Sequence, residues 1–401
     1  MVRSRIYRRR LTRLAPIVVL CAVLLVLAGA ARAHDPNTYG GLFRSRDLGA
    51  TWISADVGLF LNGTLALAVD PRDPNHLLLG TDNGLFGSPT GGRSWMQEAP
   101  PILAGAIFAV AFAPDGASAL CSTPAGVFRW DGSAWKPADA PAAAAPARAI
   151  AYGAAPGRAY LLGPAGLFAS DDAGARFETL SLPVDAAPGA LAVTRAPRET
   201  LLLLAGGGVL ASADGGRHWQ TRPAPIPLDA LALDPAHPAR LWAGGRAGLL
   251  RSDDLGQTWQ PVPGALPVAD PIVRGIAADP DATTLVITTD RGLFRSIDGG
   301  RTWQTSASGL PVRLESGPLA RDPASAATLY AIFSLVPYAE AWRSAIEGKA
   351  LLARADLIDL IGAGALILAV LLAGGGLVFG LLRLRRGPER APAPASAVAR
   401  R

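Results

Sequence analysis

Three features of this 401-residue sequence predict an all-β fold. The predicted fold is a closed ring of seven four-stranded blades, followed by one membrane-spanning helix. A short motif that ends in an aromatic residue recurs seven times, with 40 to 44 positions between successive aromatics. Apolar runs of four to six residues separate the motifs and are bounded by Asp-Pro turns, which is typical of short buried strands. One long uncharged segment lies near each terminus. Repeats of about 42 residues with four strands each are typical of a seven-bladed β-propeller.

Residues 1–33 have the layout of a secretory signal. Six arginines between Arg3 and Arg13 precede an uncharged run from Leu14 to Ala31, and the run ends in Ala31-Arg32-Ala33. A basic start, an apolar middle and a small-x-small end are the features that signal peptidase recognises. About eighteen uncharged residues can also just span a bilayer. A cleaved signal peptide and an uncleaved signal anchor are therefore both open.

The repeated motif is clearest in its first and last copies. Residues 41–52 read GLFRSRDLGATW, and residues 292–303 read GLFRSIDGGRTW. Three copies between them keep the pattern Ser-x-Asp-x-Gly-x-x-aromatic, one copy has Thr90 where the others have Asp, and one is a residue shorter. The motif positions are Ser45, Asp47, Gly49, Trp52, Ser88, Gly92, Trp95, Asp131, Trp135, Ser170, Asp172, Gly174, Phe177, Ser212, Asp214, Gly216, Trp219, Ser252, Asp254, Gly256, Trp259, Ser296, Asp298, Gly300 and Trp303.

Over residues 39–333 these motifs resemble the Asp-box (BNR) repeats of β-propellers, most closely those of photosystem II assembly factors and sortilin-type receptors, with turn motifs also found in sialidases. The resemblance implies that each box forms the hairpin between the third and fourth strands of a blade. Asp and Ser side chains accept backbone N–H groups across tight turns, and Gly supplies a positive φ. We therefore expect the boxes to have a structural role, with each aromatic packed between neighbouring blades. Catalysis is the alternative, but seven equivalent turns cannot all be one active site.

The two ends of the repeat region complement each other. The chain enters the region at Tyr39 with only the outer two strands of a blade and leaves it through residues 319–333 with only the inner two. Joining these halves would close the ring and remove the exposed sheet edges. The sequence thus predicts a propeller over residues 34–333. A membrane-proximal linker, residues 334–359, contains either two further strands around Trp342 or a short helix.

The second apolar segment, residues 360–382, has 23 uncharged residues, enough for a transmembrane helix. Arg383, Arg385 and Arg386 follow it, so the positive-inside rule places the Ala/Pro-rich tail, residues 383–401, in the cytoplasm and the propeller outside. Without residues 1–33 and 356–401, the chain has 25 basic and 29 acidic residues. That balance argues against nucleic-acid binding. We expect a bacterial envelope protein in the cell membrane, single-pass once the signal is cleaved.

No motif in the sequence predicts a catalytic, metal-binding or cofactor-binding site. The four histidines are scattered, the cysteines form no ligand pair, and no phosphate-binding loop precedes a helix. A sialidase needs a Tyr nucleophile with a Glu partner and three arginines on a carboxylate, whereas Tyr160 and Tyr330 fall inside apolar strand runs. The predicted function is therefore non-enzymatic binding of a protein or glycan outside the cytoplasm, as an assembly or stability factor. A sialidase-like glycoside hydrolase is the alternative.

Five polar residues are candidates for contact with that partner. They lie in the turns before the third strand of a blade, where other blades have Pro-Ala-Gly or Gly-Gly-Gly. Small residues suffice for such turns, so charged exceptions are candidates for binding. The longer loops at residues 56–62, 137–146 and 261–270 are expected on the same face. The five residues are Asp82, Asn83, Arg246, Asp290 and Arg291.

Overall fold

The computed structural model describes residues 40–59, 63–99, 101–183, 188–195, 197–206, 208–306, 309–311 and 314–347. Within these ranges, 28 strands form seven antiparallel four-stranded sheets. Blade 1 comprises β3 (Thr64–Val69), β4 (Leu77–Thr81), β5 (Gly84–Ser88) and β6 (Met96–Gln97). Blade 2 comprises β7 (Ala109–Phe112), β8 (Ala119–Thr123), β9 (Gly126–Trp130) and β10 (Trp135–Pro137). Blade 3 comprises β11 (Ala149–Tyr152), β12 (Ala159–Gly163), β13 (Gly166–Ser170) and β14 (Glu178–Leu180).

The next three blades follow the same order. Blade 4 comprises β15 (Leu191–Thr194), β16 (Thr200–Ala205), β17 (Gly208–Ser212) and β18 (Gln220–Pro223). Blade 5 comprises β19 (Ala230–Leu233), β20 (Leu241–Gly245), β21 (Gly248–Ser252) and β22 (Gln260–Pro261). Blade 6 comprises β23 (Val273–Ala278), β24 (Leu285–Thr289), β25 (Gly292–Ser296) and β26 (Gln304–Thr305).

Blade 7 is built from both ends of the repeat region. Its strands are β1 (Gly41–Ser45), β2 (Ile53–Ser54), β27 (Glu315–Asp322) and β28 (Ser325–Ser334), in the spatial order β2-β1-β28-β27. Phe43 pairs with Ala331 in the β1–β28 ladder. The first strand of each blade contacts the first strand of the next, from β3 through β23 to β27 and back to β3. The predicted seven-bladed, ring-closed propeller is confirmed.

Burial within a blade follows the position of the strand. Every residue of the second strand is buried in blades 1 to 6, because neighbouring sheets cover both of its faces. The fourth strands have only two to four residues and are mostly exposed. Very short outer strands leave few unpaired backbone groups for aggregation. The core therefore consists of layers between blades, such as Leu78, Val110 and Trp135 between blades 1 and 2.

The turns lie on two opposite faces of the ring. The box hairpins share one face with the turns between the first and second strands, and the backbone N–H of Gly299 donates to the Thr283 carbonyl between two such turns. We name this the box face. The turns before the third strand and the connections between blades lie on the other face, named the loop face.

A helix follows the last strand. The sequence left open whether the segment around Trp342 forms strands or a helix, and the structure shows helix α1 (Tyr338–Ile346). Trp342 is buried against Leu65 and Phe108, and its ring meets Phe108 edge-to-face at 4.9 Å. This aromatic contact attaches α1 to the beginnings of the inner strands of blades 1 and 2.

The predicted signal segment, residues 1–33, and the predicted transmembrane helix and tail, residues 360–401, lie outside the described residues. Within the described ranges, no helix combines the length and the apolar character that crossing a lipid bilayer demands.

Candidate partner-binding site

The box hairpins share one hydrogen-bond pattern. In the first copy, the Ser45 hydroxyl accepts the Gly49 N–H at 2.8 Å and donates to the Asp47 carboxylate at 2.7 Å. The same carboxylate accepts the Thr51 N–H at 2.9 Å. Four further boxes repeat the Ser–Gly and Ser–Asp bonds, with serines at 170, 212, 252 and 296. Each of these carboxylates is therefore engaged by its own turn.

The two divergent boxes keep part of the pattern. Where the first box has Asp47, the second has Thr90, and its hydroxyl accepts the Ser94 N–H at 2.9 Å. Ser88 still accepts the Gly92 N–H at 2.9 Å. In the shortened copy, Asp131 accepts the N–H groups of Ser133 and Ala134, both at 3.1 Å. A neutral hydroxyl in place of the acid preserves the turn, which fits a structural use of this position.

The closing aromatics lie against the preceding blade. Trp52 is 5 % exposed and packs with Val286 and Leu293 of blade 6. Its indole N–H is shared between the Gly49 carbonyl, at 3.2 Å, and the Ser306 hydroxyl, at 3.1 Å. Phe177, which has no N–H to satisfy, occupies the corresponding position between blades 2 and 3. These rings are spread around the circumference, so the boxes do not converge on one site.

The five candidate contact residues divide into two sites. Asp82 and Asn83 lie in the β4–β5 turn of blade 1, and Asp82 is only 7 % exposed. Burial raises the pKa of the Asp82 carboxyl, and the Asn83 amide donates to that carboxyl at 3.3 Å. Asp82 therefore offers little of its side chain to a partner, and a role of this turn in binding stays a prediction.

The other three candidates lie together on blades 5 and 6. Arg246 is exposed in the β20–β21 turn, and Asp290 and Arg291 form an ion pair at 3.3 Å in the β24–β25 turn. Asp290 also accepts the Ile272 N–H at 2.7 Å. Asp229, immediately before β19, interacts electrostatically with two of these residues: burial raises its pKa, Arg246 lowers it, and Asp290 raises it.

An opening lies at the centre of the ring on the loop face. This mouth cavity has a volume of about 510 Å³, and the starts of the inner strands of blades 3 to 7 form its wall. Helix α1 closes its remaining side with Tyr338, Ala339 and Trp342. The lining is largely apolar, through residues such as Leu191, Leu228, Ile272 and Val273, with Arg148, Asp229 and Arg274 as its charged members.

Two arginines of the mouth cavity stack on the aromatic rings of α1. The guanidinium carbon of Arg148 lies 4.4 Å from the Trp342 ring centroid, and that of Arg274 lies 5.5 Å from the Tyr338 ring. Cation–π contacts of this kind strengthen when water is excluded. Burial is the main cause that raises the pKa of Tyr338, to about 12, so its phenol stays neutral. The rings thereby hold both guanidinium groups in fixed positions.

Glu315 fixes the start of α1. Its carboxylate accepts a hydrogen bond from Arg274 at 2.7 Å and another from the Tyr338 N–H at 3.1 Å. Because Pro337 precedes the helix and provides no capping side chain, Glu315 satisfies an N-terminal donor in its place. Arg148 has no ion-pair partner within 4 Å among the described residues. The mouth cavity thus combines apolar walls with one uncompensated guanidinium.

Sequence reasoning missed the mouth cavity. Arg148, Arg274 and Glu315 lie at the starts of inner strands, where blades 1 and 2 have Leu65 and Phe108. Comparing the same repeat position in all seven blades would have shown these charged exceptions.

The described residues contain one Tyr–Glu pair that bears on hydrolysis. The Tyr160 hydroxyl donates to Glu199 and accepts from Arg158 between blades 3 and 4. Burial first, and then Glu199, raise the pKa of Tyr160 to about 12, which opposes formation of a nucleophilic phenolate. This pair lies on the box side, outside the mouth cavity. Among the described residues, no cluster of three His, Cys, Asp or Glu side chains has a metal-binding arrangement.

Comparisons with known proteins identify the fold. No protein-family model and no curated protein sequence matches the chain. The solved structure of YCF48 bound to D1 peptide has a TM-score of 0.54 and 18% identity, covering 70% of this chain and 94% of that one. YCF48 from Cyanidioschyzon merolae gives 0.53 and 16%, covering 69% and 97%. This chain shares the YCF48 fold.

A third solved structure, an ancestral GH74 enzyme, has a TM-score of 0.48 and 15% identity, covering 67% of this chain and 52% of that chain. At these identities the YCF48 structures establish the propeller architecture alone. Conclusions about individual residues come from the contacts in the mouth cavity.

Proposed function

We propose that this chain is a membrane-anchored, extracytoplasmic scaffold whose propeller binds a peptide segment of a protein partner in the mouth cavity. The observation that carries the proposal is the 510 Å³ cavity, with its apolar walls and its arginines held over aromatic rings. Concave, mostly apolar sites with a few fixed polar groups are the usual form of binding pockets. The solved complex of YCF48 with a D1 peptide supports a peptide as the class of ligand.

A protein partner fits this site better than a glycan. Sugar rings commonly stack on aromatic faces, whereas Tyr338 and Trp342 already face the guanidinium groups of Arg274 and Arg148. The apolar wall residues Leu191, Leu228 and Ile272 offer burial to aliphatic or aromatic side chains. In this proposal the Asp boxes shape the ring and take no part in binding.

The membrane anchor and the extracytoplasmic location belong to the same proposal. They are supported by the 23 uncharged residues 360–382 and by the arginines directly after them. Residues 1–33 support export through their basic start and small-x-small end. A scaffold of this kind would hold an assembling partner near the membrane without chemical turnover.

Site-specific photocrosslinking tests the binding site. A photoreactive residue replaces Ala339, an exposed member of the mouth-cavity lining, in the full-length chain in its native membrane. We expect discrete crosslinked adducts whose mass spectra give a peptide of another protein. The matched control places the same residue at Ala213, which is exposed on the box face. Equal adducts at both positions, or none at Ala339, would contradict the proposal, and turnover of fluorogenic sialosides or glucans would contradict its non-enzymatic part.

A further inference from the structure

A second apolar cavity lies on the loop face beside the mouth cavity. Its volume is about 300 Å³, and its wall includes Ile226, Leu249, Val262, Leu266 and Val268. It lies between the connection that leads into blade 5 and the connection from blade 5 to blade 6. We name it the loop cavity. The described part of the chain contributes no acidic side chain to its lining, and Arg246 is its charged member.

The two cavities adjoin. Ile226 lines the loop cavity and Leu228 lines the mouth cavity, two positions later in the same segment. In the next connection, Pro271 lines the loop cavity and the adjacent Ile272 lines the mouth cavity. These two short segments therefore form a common wall, and a route across it leads from the centre of the ring outward over blade 5.

The common wall has charged groups at its surface. Asp229 and Arg246 are both exposed, and neither forms an ion pair within 4 Å in the part of the chain that the structure describes. Desolvation raises the pKa of the Asp229 carboxyl, and the positive charge of Arg246 opposes this shift. The neighbouring Asp290 is already engaged by Ile272 and Arg291. One carboxylate and one guanidinium thus remain available between the cavities.

This arrangement selects among possible occupants by charge complementarity. A lipid chain laid across the wall would desolvate Asp229 and Arg246 without pairing them, which is unfavourable. A nucleic acid would bring phosphates against Asp229 and Asp290. An extended peptide carries its own polar groups, and its alternate side chains, about 6.6 to 7 Å apart, lie on one side. It can therefore present apolar, polar and apolar side chains in succession to one surface.

We propose that the partner segment binds as an extended chain across blade 5, with one apolar side chain in the mouth cavity, a second in the loop cavity four residues away, and a polar residue midway between them over Asp229 and Arg246. This inference rests on the proposed function and adds the conformation and residue pattern of the ligand. Both anchors are apolar side chains removed from water in separate pockets, which is how a few residues come to dominate binding.

Selection from a displayed library of random 12-residue peptides against the full-length protein in detergent tests this proposal. We expect enriched sequences of the form apolar-x-polar-x-apolar. Ala339→Trp fills the mouth cavity and Ala247→Trp fills the loop cavity, and both alanines are exposed lining residues, so neither change disturbs the core. Each should weaken an enriched peptide by at least about tenfold, as the loss of one anchor predicts. Ala213→Trp on the box face is the control and should leave binding unchanged.

The outcomes separate this inference from the proposed function. Loss of binding with Ala339→Trp alone would overturn the two-anchor arrangement while leaving the mouth cavity as the binding site. Binding that survives both substitutions, or a library without enriched sequences, would overturn both. Enriched peptides with a single apolar residue would also contradict the extended two-anchor arrangement.

Discussion

The Nε–H of Arg295 donates a hydrogen bond to the carbonyl oxygen of Leu48, 2.8 Å away and 247 positions earlier in the chain. Arg295 belongs to β25 in blade 6, and Leu48 belongs to the box hairpin of blade 7. Arg44 makes the same kind of contact with the Gly91 carbonyl of the next box, at 2.9 Å. Each of these strand arginines thus connects its blade to the box hairpin of the next blade. Arg295 makes this connection to blade 7, which closes the ring.

Arg295→Met should lower the free energy of unfolding by about 1.5 to 3 kcal/mol, the usual contribution of a hydrogen bond to a charged group. Met keeps much of the aliphatic stem, so the change mainly removes the donor. Chemical unfolding followed by tryptophan fluorescence measures this loss. The control Arg217→Met, at an exposed position in another box, should change stability by less than about 0.5 kcal/mol. Equal effects of the two substitutions would show that the Arg295–Leu48 bond adds nothing specific.

Trp52→Ala should cost about 3 to 5 kcal/mol, because it leaves a cavity between blades 6 and 7. Trp52→Phe should cost less, since it keeps most of the ring and loses the bonds to Gly49 and Ser306. Thermal unfolding of the purified chain compares the two variants. Ile53 is 55 % exposed, so Ile53→Ala should be close to neutral. A small effect of Trp52→Ala would argue against the box aromatics as the packing between blades.

The box carboxylates predict a loss of stability in acid. Hydrogen bonds from the Thr302 N–H and hydroxyl lower the pKa of Asp298 to about 2. Burial raises the pKa of Asp254, but bonds from Thr258 and Ser252 outweigh it and lower this pKa to about 2 as well. An unfolded Asp titrates near pH 3.9, so the stabilisation is complete above that pH and disappears as the pH falls through about 2.

Urea midpoints measured between pH 5 and pH 2 should therefore decrease, and Thr258→Val with Thr302→Val should make the decrease shallower. These substitutions raise both folded pKa values toward the unfolded value by removing hydroxyl donors. An unaltered pH slope in the double variant would show that the two box carboxylates do not control acid stability.

Glu315→Ala should loosen helix α1. The substitution removes the acceptor for the Tyr338 N–H and the partner of Arg274, leaving a partly buried guanidinium uncompensated. Hydrogen exchange at residues 338–347 should become faster, while exchange in β20 should stay slow because all five of its residues are buried. Glu315→Gln keeps an oxygen acceptor, so its exchange rate in α1 should lie between those of the unchanged protein and of Glu315→Ala. Unchanged exchange in α1 would mean that the Trp342–Phe108 contact alone holds the helix.

The sequence was sufficient for the blades because each blade is specified locally. The Ser–Asp–Gly turns and their aromatics lie within twelve residues, and the structure places them in hairpins between third and fourth strands. Ring closure could also be predicted, because the two half-blades at the ends leave β28 as the partner for the inner edge of β1. The second strands are buried on both faces, which explains why their apolar runs in the sequence do not alternate with polar residues.

Local sequence patterns did not show the mouth cavity because its residues are distant in the chain. Arg148, Arg274, Glu315 and Trp342 meet only after the ring forms, and no local pattern relates them. The Asp82 turn stays a prediction, and its surroundings differ from those of the Asp290 turn. The backbone N–H of Asp82 donates to the Gly63 carbonyl and its side chain is buried, whereas Asp290 in the equivalent turn pairs with Arg291.

The pairing of β1 with β28 has a consequence for biosynthesis. Thr64 donates its hydroxyl to the Phe333 carbonyl, 269 positions away, so the first blade made also depends on the last strand of the propeller. Contacts this distant form late, since the entropy of closing a long loop must be overcome first. A nascent chain therefore presents the unpaired edge of β1 until synthesis passes residue 334. Chaperones that shield strand edges would have their greatest effect on this chain before that point.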